Sequence, residues 1–391
     1  MAKLPAYIGP AAFGLKMGVI VPGSDLLDLI AQIVQACHRD LLLDNGDVLC
    51  ITESVLARSQ NNYVTTAEIA KEVREHLHTG PNGKIGVVFP IASRNRFAMV
   101  LEAIAAAVPE GEVVVQLSWP RDEVGNQIIS EDFASSLGKV SSDIITPDEL
   151  KGHSFKHPIT EVDYVQLYHQ IIEEQGAKAA IFLSNDPKSI LAHCPDGVIV
   201  ADIHSREKTL RCLADKVKAI TLADLCSAPT RSAWSEWGLL GSNMSSGDKL
   251  KLAPRAASAF ARDVQRAVAE LTGKEIEVIV YGDGAYKDPT TQIYELADPK
   301  PVFGATPGFA NLMREGFKYK YLVDLYHQQG QSVIEIENRL KDKLSAESLG
   351  QVKTEGTTPR RLEDVIASLA DLVSGSADAG TPAVLVKGFF G

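Results

Sequence analysis

No apolar run in this sequence approaches the roughly 18 to 20 residues that a membrane-crossing helix needs, and the Met1-Ala2-Lys3-Leu4-Pro5 start lacks the apolar core of a signal peptide. A cytoplasmic protein that does not engage a membrane is expected. Cysteine is scarce: Cys37, Cys50, Cys194, Cys212 and Cys226 are odd in number and form no Cys-x-x-Cys pair, which argues against a disulfide framework and a zinc ribbon. Most read as small core residues; Cys226, beside Asp224 and Ser227 in an expected loop, is the one placed for a chemical role. Positive charge is also short. With 39 Lys and Arg against 50 Asp and Glu, the net charge of −11 disfavours a general nucleic-acid binder, whose affinity rests on clustered basic side chains. A small anion could still bind locally. Also missing are His-Glu-x-x-His, Gly-x-Ser-x-Gly and the Walker-type Gly-x-x-x-x-Gly-Lys-Ser/Thr, so the common hydrolase and P-loop readings have no motif behind them.

What is present points to a folded, composite chain. A hydrophobic fraction of 45% with 23% charged residues excludes a disordered protein. At 391 residues the chain exceeds the size at which one core stops growing, so two domains, or one with a large insertion, are expected. Val19 to Val21 reads as a short strand, Ser24-Asp25 opens a helix to about His38, and Gly46-Asp47 leads into the strand Val48 to Thr52. A helix from Thr66 to about His78, the strand Ile85 to Pro90, a helix from Ser93 to Ala107 and the strand Glu112 to Leu117 continue the alternation. The fold class is α/β, with a mixed α+β arrangement as its variant.

The pattern weakens near Lys139 to His157, and a second α/β segment follows. Its strands are expected at Ala179 to Ser184 and Gly197 to Asp202, with helices near Val162 to Gln175, at Arg206 to Lys216 and at Pro254 to Thr272. Between the last two lies a Gly- and Ser-rich stretch, Ser227 to Lys249, whose Trp234 and Trp237 suggest a mobile cover. The chain closes with an irregular stretch to Gly308, a helix from Arg361 to Ser374 and an apolar strand from Ala383 to Lys387. The division expected is 1–145 and 255–391 as two parts of one core, with 146–254 as an inserted α/β segment.

Two acidic loops carry the chemistry. Ser118-Trp119-Pro120-Arg121-Asp122-Glu123-Val124-Gly125-Asn126 follows one β-type run, and Tyr281-Gly282-Asp283-Gly284-Ala285-Tyr286-Lys287-Asp288-Pro289 follows another. Carboxylates at strand ends hold hard cations such as Mg²⁺ or Mn²⁺, which keep several waters and share their ligands with substrate phosphates. Asp122 and Asn126 equally suit an Asx-turn, and Asp283-Gly284 an ordinary turn; Lys287 could meet a phosphate or solvent. Ser93-Arg94-Asn95-Arg96 opens a helix where an anion would be favoured, or simply caps it. Asp202 and His204 fall on one side of an extended chain, as an acid–base or metal pair or as a locally bonded histidine.

Gly46 to Ser59 and Glu363 to Gly388 resemble the γ-glutamyl ligase family of the deazaflavin coenzyme F-420, and Gly18 to Leu26 resembles its nucleotide-contacting start. The resemblance covers the chain to about residue 130 and again from about residue 282. It implies a homodimeric amide ligase that uses a nucleoside triphosphate, GTP in the founding members, with Mg²⁺ or Mn²⁺. Such an enzyme phosphorylates a small acid to an acyl phosphate, which the amine of L-glutamate attacks. By position, Asp122 and Asn126 would take the first metal aspartate and a nucleotide-contacting asparagine, and Asp283 with Gly284 the second metal aspartate and its neighbour. Met17, Gly18, Val19, Ile20, Ser54, Arg58, Arg94, Arg96 and Ser376 complete the expected nucleotide site, with Asp122 and Asp283 as the catalytic pair.

This sequence departs from the family in several places. Its Asp and Asn are four residues apart rather than three, and Glu53, Ser54 and Arg58 stand where the ligases carry Ser-Lys and a following Lys. Ser376 replaces a metal-ligating Gln or Glu. The acceptor stays open between the F-420 precursor and a folate-like, pterin-like or other acid, with GTP or ATP as donor. A non-catalytic ligand-binding homologue is the alternative of another class.

Overall fold

The computed structural model describes residues 7–157, 160–283, 286–287, 294–314, 318–346, 360–374 and 380–390. Two five-stranded sheets organise them. The first, the core sheet, runs in the order Ala11–Leu15, Ala383–Lys387, Val48–Thr52, Glu277–Tyr281, Val302–Ala305. Its only parallel pair joins Val48–Thr52 to Glu277–Tyr281, in register from Val48 against Glu277 to Thr52 against Tyr281. Both faces are covered, which is why these strands read as continuous apolar runs. Leu49, Ile51, Val278 and Val280 face the helices Leu26–Arg39 and Ala257–Thr272. Val48, Cys50, Ile279 and Tyr281 face the helix Leu362–Ser374.

Between the strands of the parallel pair, the chain builds the second sheet. It is wholly parallel, in the order Lys178–Leu183, Glu112–Leu117, Lys84–Val88, Gly197–Val200, Lys218–Thr221. The first of these strands in the chain lies at the centre; the next two build outward on one side and the last two on the other. That reversal leaves a crevice at the carboxyl ends of Lys84–Val88 and Gly197–Val200, where open α/β sheets place their ligands. The helices Thr66–Leu77, Phe97–Ala107 and Tyr164–Glu174 contribute to the large core on one face, and Arg206–Leu213 packs on the other.

The expected boundary at residue 145 runs through this second sheet. Lys84–Val88 and Glu112–Leu117 precede it, yet pair with Gly197–Val200 and Lys178–Leu183 after it. The segment 146–254 therefore shares its sheet with Lys84–Val88 and Glu112–Leu117, all of them between the core strands Val48–Thr52 and Glu277–Tyr281. Strands buried on both faces look alike in either sheet, so their periodicity does not say which sheet they join.

Local expectations fared by element. Asp25 caps Leu26–Arg39 by accepting from the Asp28 N–H, and Thr65 with Glu68 forms a capping box at Thr66–Leu77. The strand expected at Val19 to Val21 is not formed: Val19 is 88% exposed, and the edge strand is Ala11–Leu15. The helix expected from Ser93 starts at Phe97. The Trp-bearing stretch is no mobile cover. Asn62, fully buried, donates from Nδ2 to the carbonyls of Trp234 (2.9 Å) and Ala253 (2.8 Å) and accepts from the Trp234 N–H, while Leu239 and Leu240 enter the core. Cys226 is likewise structural: it is buried, burial pushes its thiol up, and its N–H donates to Glu72. Among the described residues, no helix is long and apolar enough to cross a membrane.

Candidate functional site

A cavity of about 1400 Å³ opens where the two sheets meet. One wall is the end of the parallel pair: after Thr52 the chain turns into the helix Glu53–Ser59, and after Tyr281 into Gly282 and Asp283. The other wall comes from the second sheet, as the loop Ile91 to Arg96 at its crevice, and from the hairpin of Asn243–Met244 and Lys249–Lys251. Five cations line the space, Arg58, Arg94, Arg96, Lys249 and Lys251, against three carboxylates, Glu53, Asp283 and Asp371. A basic cavity in a chain of net charge −11 is a local concentration of positive potential.

The carboxylates gather at one pole. Gly282 allows it: a Cβ there would lie 2.5 Å from Asp298 Oδ2 and 2.6 Å from the Phe303 ring, so only glycine lets the strand end pass this close. Asp298 is 1% exposed; its Oδ2 accepts from the Asp283 N–H at 2.8 Å, and its Oδ1 accepts from Arg96 Nη1 at 2.9 Å. The other end of the Arg96 guanidinium donates to Asp283 Oδ2. Lys251 Nζ donates to both oxygens of Glu53, at 2.9 and 2.8 Å. Burial, then the neighbouring charges of Asp298, Glu53 and Asp371, push the Asp283 carboxyl up to about 7, against the pull of Arg96.

This donor chemistry fits a hard divalent cation. Glu53, Asp283, Asp298 and Asp371 supply only oxygens, and their four negative charges face two positive ones, Arg96 and Lys251. Burial is the main cause of the raised Asp283 carboxyl, and this excess of negative charge adds to it. Among the described residues, no three acidic, His or Cys side chains are arranged to hold a metal ion; Arg96 and Lys251 hold the carboxylates instead.

The chain matches the F420-0:Gamma-glutamyl ligase family over residues 14–388. It belongs to that family. The match spans both sheets, and the α/β architecture agrees with the expected fold class. No curated protein matches the chain.

Against this γ-glutamyl ligase frame, the anticipated site residues divide. Gly18, Val19, Ile20, Ser54, Arg58, Arg94, Arg96, Asn126 and Asp283 line the one cavity. Arg58 also donates to the Ile20 carbonyl at 3.2 Å, which ties the opening segment to the wall. Met17 packs towards the core beneath. Gly284, Ser376 and the Lys287 side chain lie outside the described residues.

Asp122 sits behind the wall rather than in it. Its Oδ2 accepts from the Ala92 N–H (2.7 Å) and Asn126 Nδ2 (2.9 Å), and its Oδ1 from the N–H groups of Val124 and Asn126. That is the turn-forming role, with both oxygens committed to holding Asn126 and the Ile91 to Arg96 loop in place. Burial nevertheless pushes its carboxyl up to about 6. Glu123 accepts from the N–H groups of Ile203, His204 and Ser205, filling the anion position ahead of the helix Arg206–Leu213. Asp202 and His204 do not pair: Asp202 accepts from Thr209, and His204 Nε2 contacts the Leu296 carbonyl. Asp298, Lys251 and Asp371 went unread in the sequence. Lys251 lies in the short alternation Lys249-Leu250-Lys251-Leu252, which was not read as a strand, and Asp298 in a Pro-flanked segment, Ala297-Asp298-Pro299, with the marks of a plain turn.

Proposed function

We propose that this family member is a ligase that joins L-glutamate through its amine to a small acid, at the expense of a nucleoside triphosphate and with Mg²⁺ or Mn²⁺. The observation that supports it most is the pairing, in one cavity, of an oxygen-rich acidic pole with uncommitted cations. The side chains of Arg94 and Lys249 have no hydrogen-bond or ion-pair partner among the described residues, and both residues are exposed on the rim. In this reading the triphosphate lies between them and Arg58, with Asn126 presented by the Asp122 turn. Asp283, with Glu53 and Asp371 close by, would hold the cation, which when bound neutralises phosphate oxygens and favours departure of the diphosphate.

The reaction then needs positioning more than covalent help from the protein. An oxygen of the acceptor carboxylate attacks the terminal phosphorus, and the nucleoside diphosphate leaves. The glutamate amine attacks the acyl carbon, gives up a proton and expels inorganic phosphate, leaving the amide. The acceptor by family resemblance is the coenzyme F-420 precursor, the donor GTP or ATP, and the assembly a homodimer. Thermal unfolding with Mn²⁺ and GTP or ATP tests the site, because a ligand bound to the native state raises stability by mass action. Stabilisation that requires cation and nucleotide together, followed by glutamate-dependent phosphate release, is the expected result. No shift with any nucleotide would replace it with a non-catalytic ligand-binding role.

A further inference from the structure

Two cations cross between the cavity's walls at the acidic pole, Lys251 to Glu53 and Arg96 to Asp283, and of the two only Arg96 holds a second carboxylate, Asp298, among the described residues. The Arg96 backbone belongs to the crevice loop of the second sheet, and its two carboxylate partners, Asp283 after the core strand Glu277–Tyr281 and Asp298 ahead of the core strand Val302–Ala305, are 187 and 202 residues away. The two partners differ. Asp298 is 1% exposed and also accepts from the Asp283 N–H, so it is fixed in place and committed to two donors. Asp283 lines the cavity with a side chain 26% exposed, and the guanidinium is the only side-chain cation bonded to it among the described residues. A divalent cation at Asp283 and the arm of Arg96 on Asp283 therefore draw on the same carboxylate. Two like charges at one carboxylate in a buried setting repel strongly, so both cannot keep their positions.

We infer that Arg96 is a resident counter-ion that yields Asp283 to the divalent cation while staying anchored on Asp298. In the cation-free protein it balances the pole and holds the cavity walls together. On metal binding the Asp283 arm is released, and the freed guanidinium edge turns towards the cavity, where a phosphate oxygen of the nucleotide is its next acceptor. Arg96 thereby links cation binding to phosphate binding, a positioning role for Arg96 and an anchoring role for Asp298. The inference rests on the metal-dependent reading above and makes a demand that reading does not: the arginine and the metal compete.

The test is Mn²⁺ affinity, read by electron paramagnetic resonance of the free ion, without nucleotide, for the intact chain and for Arg96→Met. Removing a competing counter-ion is expected to tighten Mn²⁺ binding by about tenfold or more. The variant should also lose thermal stability in chelator and regain it on adding Mn²⁺, more steeply than the parent. Arg96→Lys keeps the charge without the fork and keeps the fold testable; its Mn²⁺ affinity is expected between the two. Asp298→Asn, which frees the guanidinium from its anchor, should weaken Mn²⁺ binding, because both arms of Arg96 then fall to Asp283. If Arg96→Met and Arg96→Lys bind Mn²⁺ no more tightly than the parent, the arginine is a structural clamp and the inference falls while the metal reading stands. If neither parent nor variants bind Mn²⁺, the metal reading falls, and this inference with it.

Discussion

Glu53 and Lys251, 198 positions apart in the chain, form a two-pronged ion pair on the cavity wall, with both side chains almost wholly buried. The pair joins the first helix after the core strand Val48–Thr52 to the hairpin strand Lys249–Lys251. Burial pushes the Glu53 carboxyl up, and Lys251 pulls it back. Breaking a buried pair by deleting one partner costs about 3–5 kcal/mol, whereas removing both charges together costs far less. Lys251→Met is accordingly expected to lower unfolding stability by about 3 kcal/mol, and the double variant with Glu53→Gln to recover most of it; urea denaturation of the four-member cycle gives the coupling.

Arg94 offers the opposite case. Exposed on the cavity rim and bonded to nothing among the described residues, it contributes little to folding. Arg94→Ala should leave the unfolding free energy from urea curves within about 0.5 kcal/mol of the parent, the usual range for such surface changes. A charge-assisted hydrogen bond to phosphate is worth roughly 1.5–3 kcal/mol, so nucleoside triphosphate affinity, measured by calorimetry, is expected to fall by about tenfold or more. Unchanged affinity would remove Arg94 from the phosphate site.

Asp202 sets a pH dependence away from the cavity. Burial is the main cause that pushes its carboxyl from about 4 up to about 6; Thr209 donates to Oδ2, while the buried Oδ1 has no hydrogen-bond partner among the described residues. A carboxyl whose folded value is raised binds its proton more tightly in the native state. Its stabilisation is full below about pH 4 and is lost as pH rises through 6. Asp202→Asn cannot ionise, so it should match the parent near pH 4 and exceed it at pH 8 by up to roughly 3 kcal/mol, at about 1.4 kcal/mol per pKa unit. Denaturant curves across pH 4 to 8 check the sign.

Gly282→Ala tests the close approach at the acidic pole. The added methyl meets Asp298 Oδ2 at 2.5 Å and the Phe303 ring at 2.6 Å, too close for either contact to stand unchanged. Overpacking of this kind costs about 1–3 kcal/mol. Because the displaced group includes the anchor of Arg96, Mn²⁺ or nucleotide binding should change along with stability, which a remote overpacked site would not do.

How much of this was readable in the sequence depends on the distance between partners. Asp25 before Leu26, Thr65 three residues ahead of Glu68, and the apolar strands at Glu112–Leu117 and Ala383–Lys387 are local signals, and the structure contains each of them. The cavity residues Arg96, Asn126 and Asp283 were legible because they follow the ends of expected strands, whereas Arg58 was reached only through the family resemblance. Asp122 was legible as a residue but ambiguous in role, since a carboxylate four positions from an asparagine suits a cation and an Asx-turn alike; four short donors decide for the turn in this structure. Asp298 and Lys251 were not legible. Each acquires its role from a partner about 200 positions distant, Arg96 for the one and Glu53 for the other, and nothing beside them in the chain announces it. The pairing of Lys84–Val88 with Gly197–Val200, more than 100 positions on, was not legible for the same reason.

Trp237 packs against the hydrophobic cores of both sheet systems, with its ring edge-on to Phe303 at 5.9 Å and Lys300 Nζ 4.9 Å from its centre. An indole shared in this way acts as a rivet. The two sheet systems cannot part near it without stripping apolar surface from one of them, so separation at this point is opposed by the burial of the indole itself.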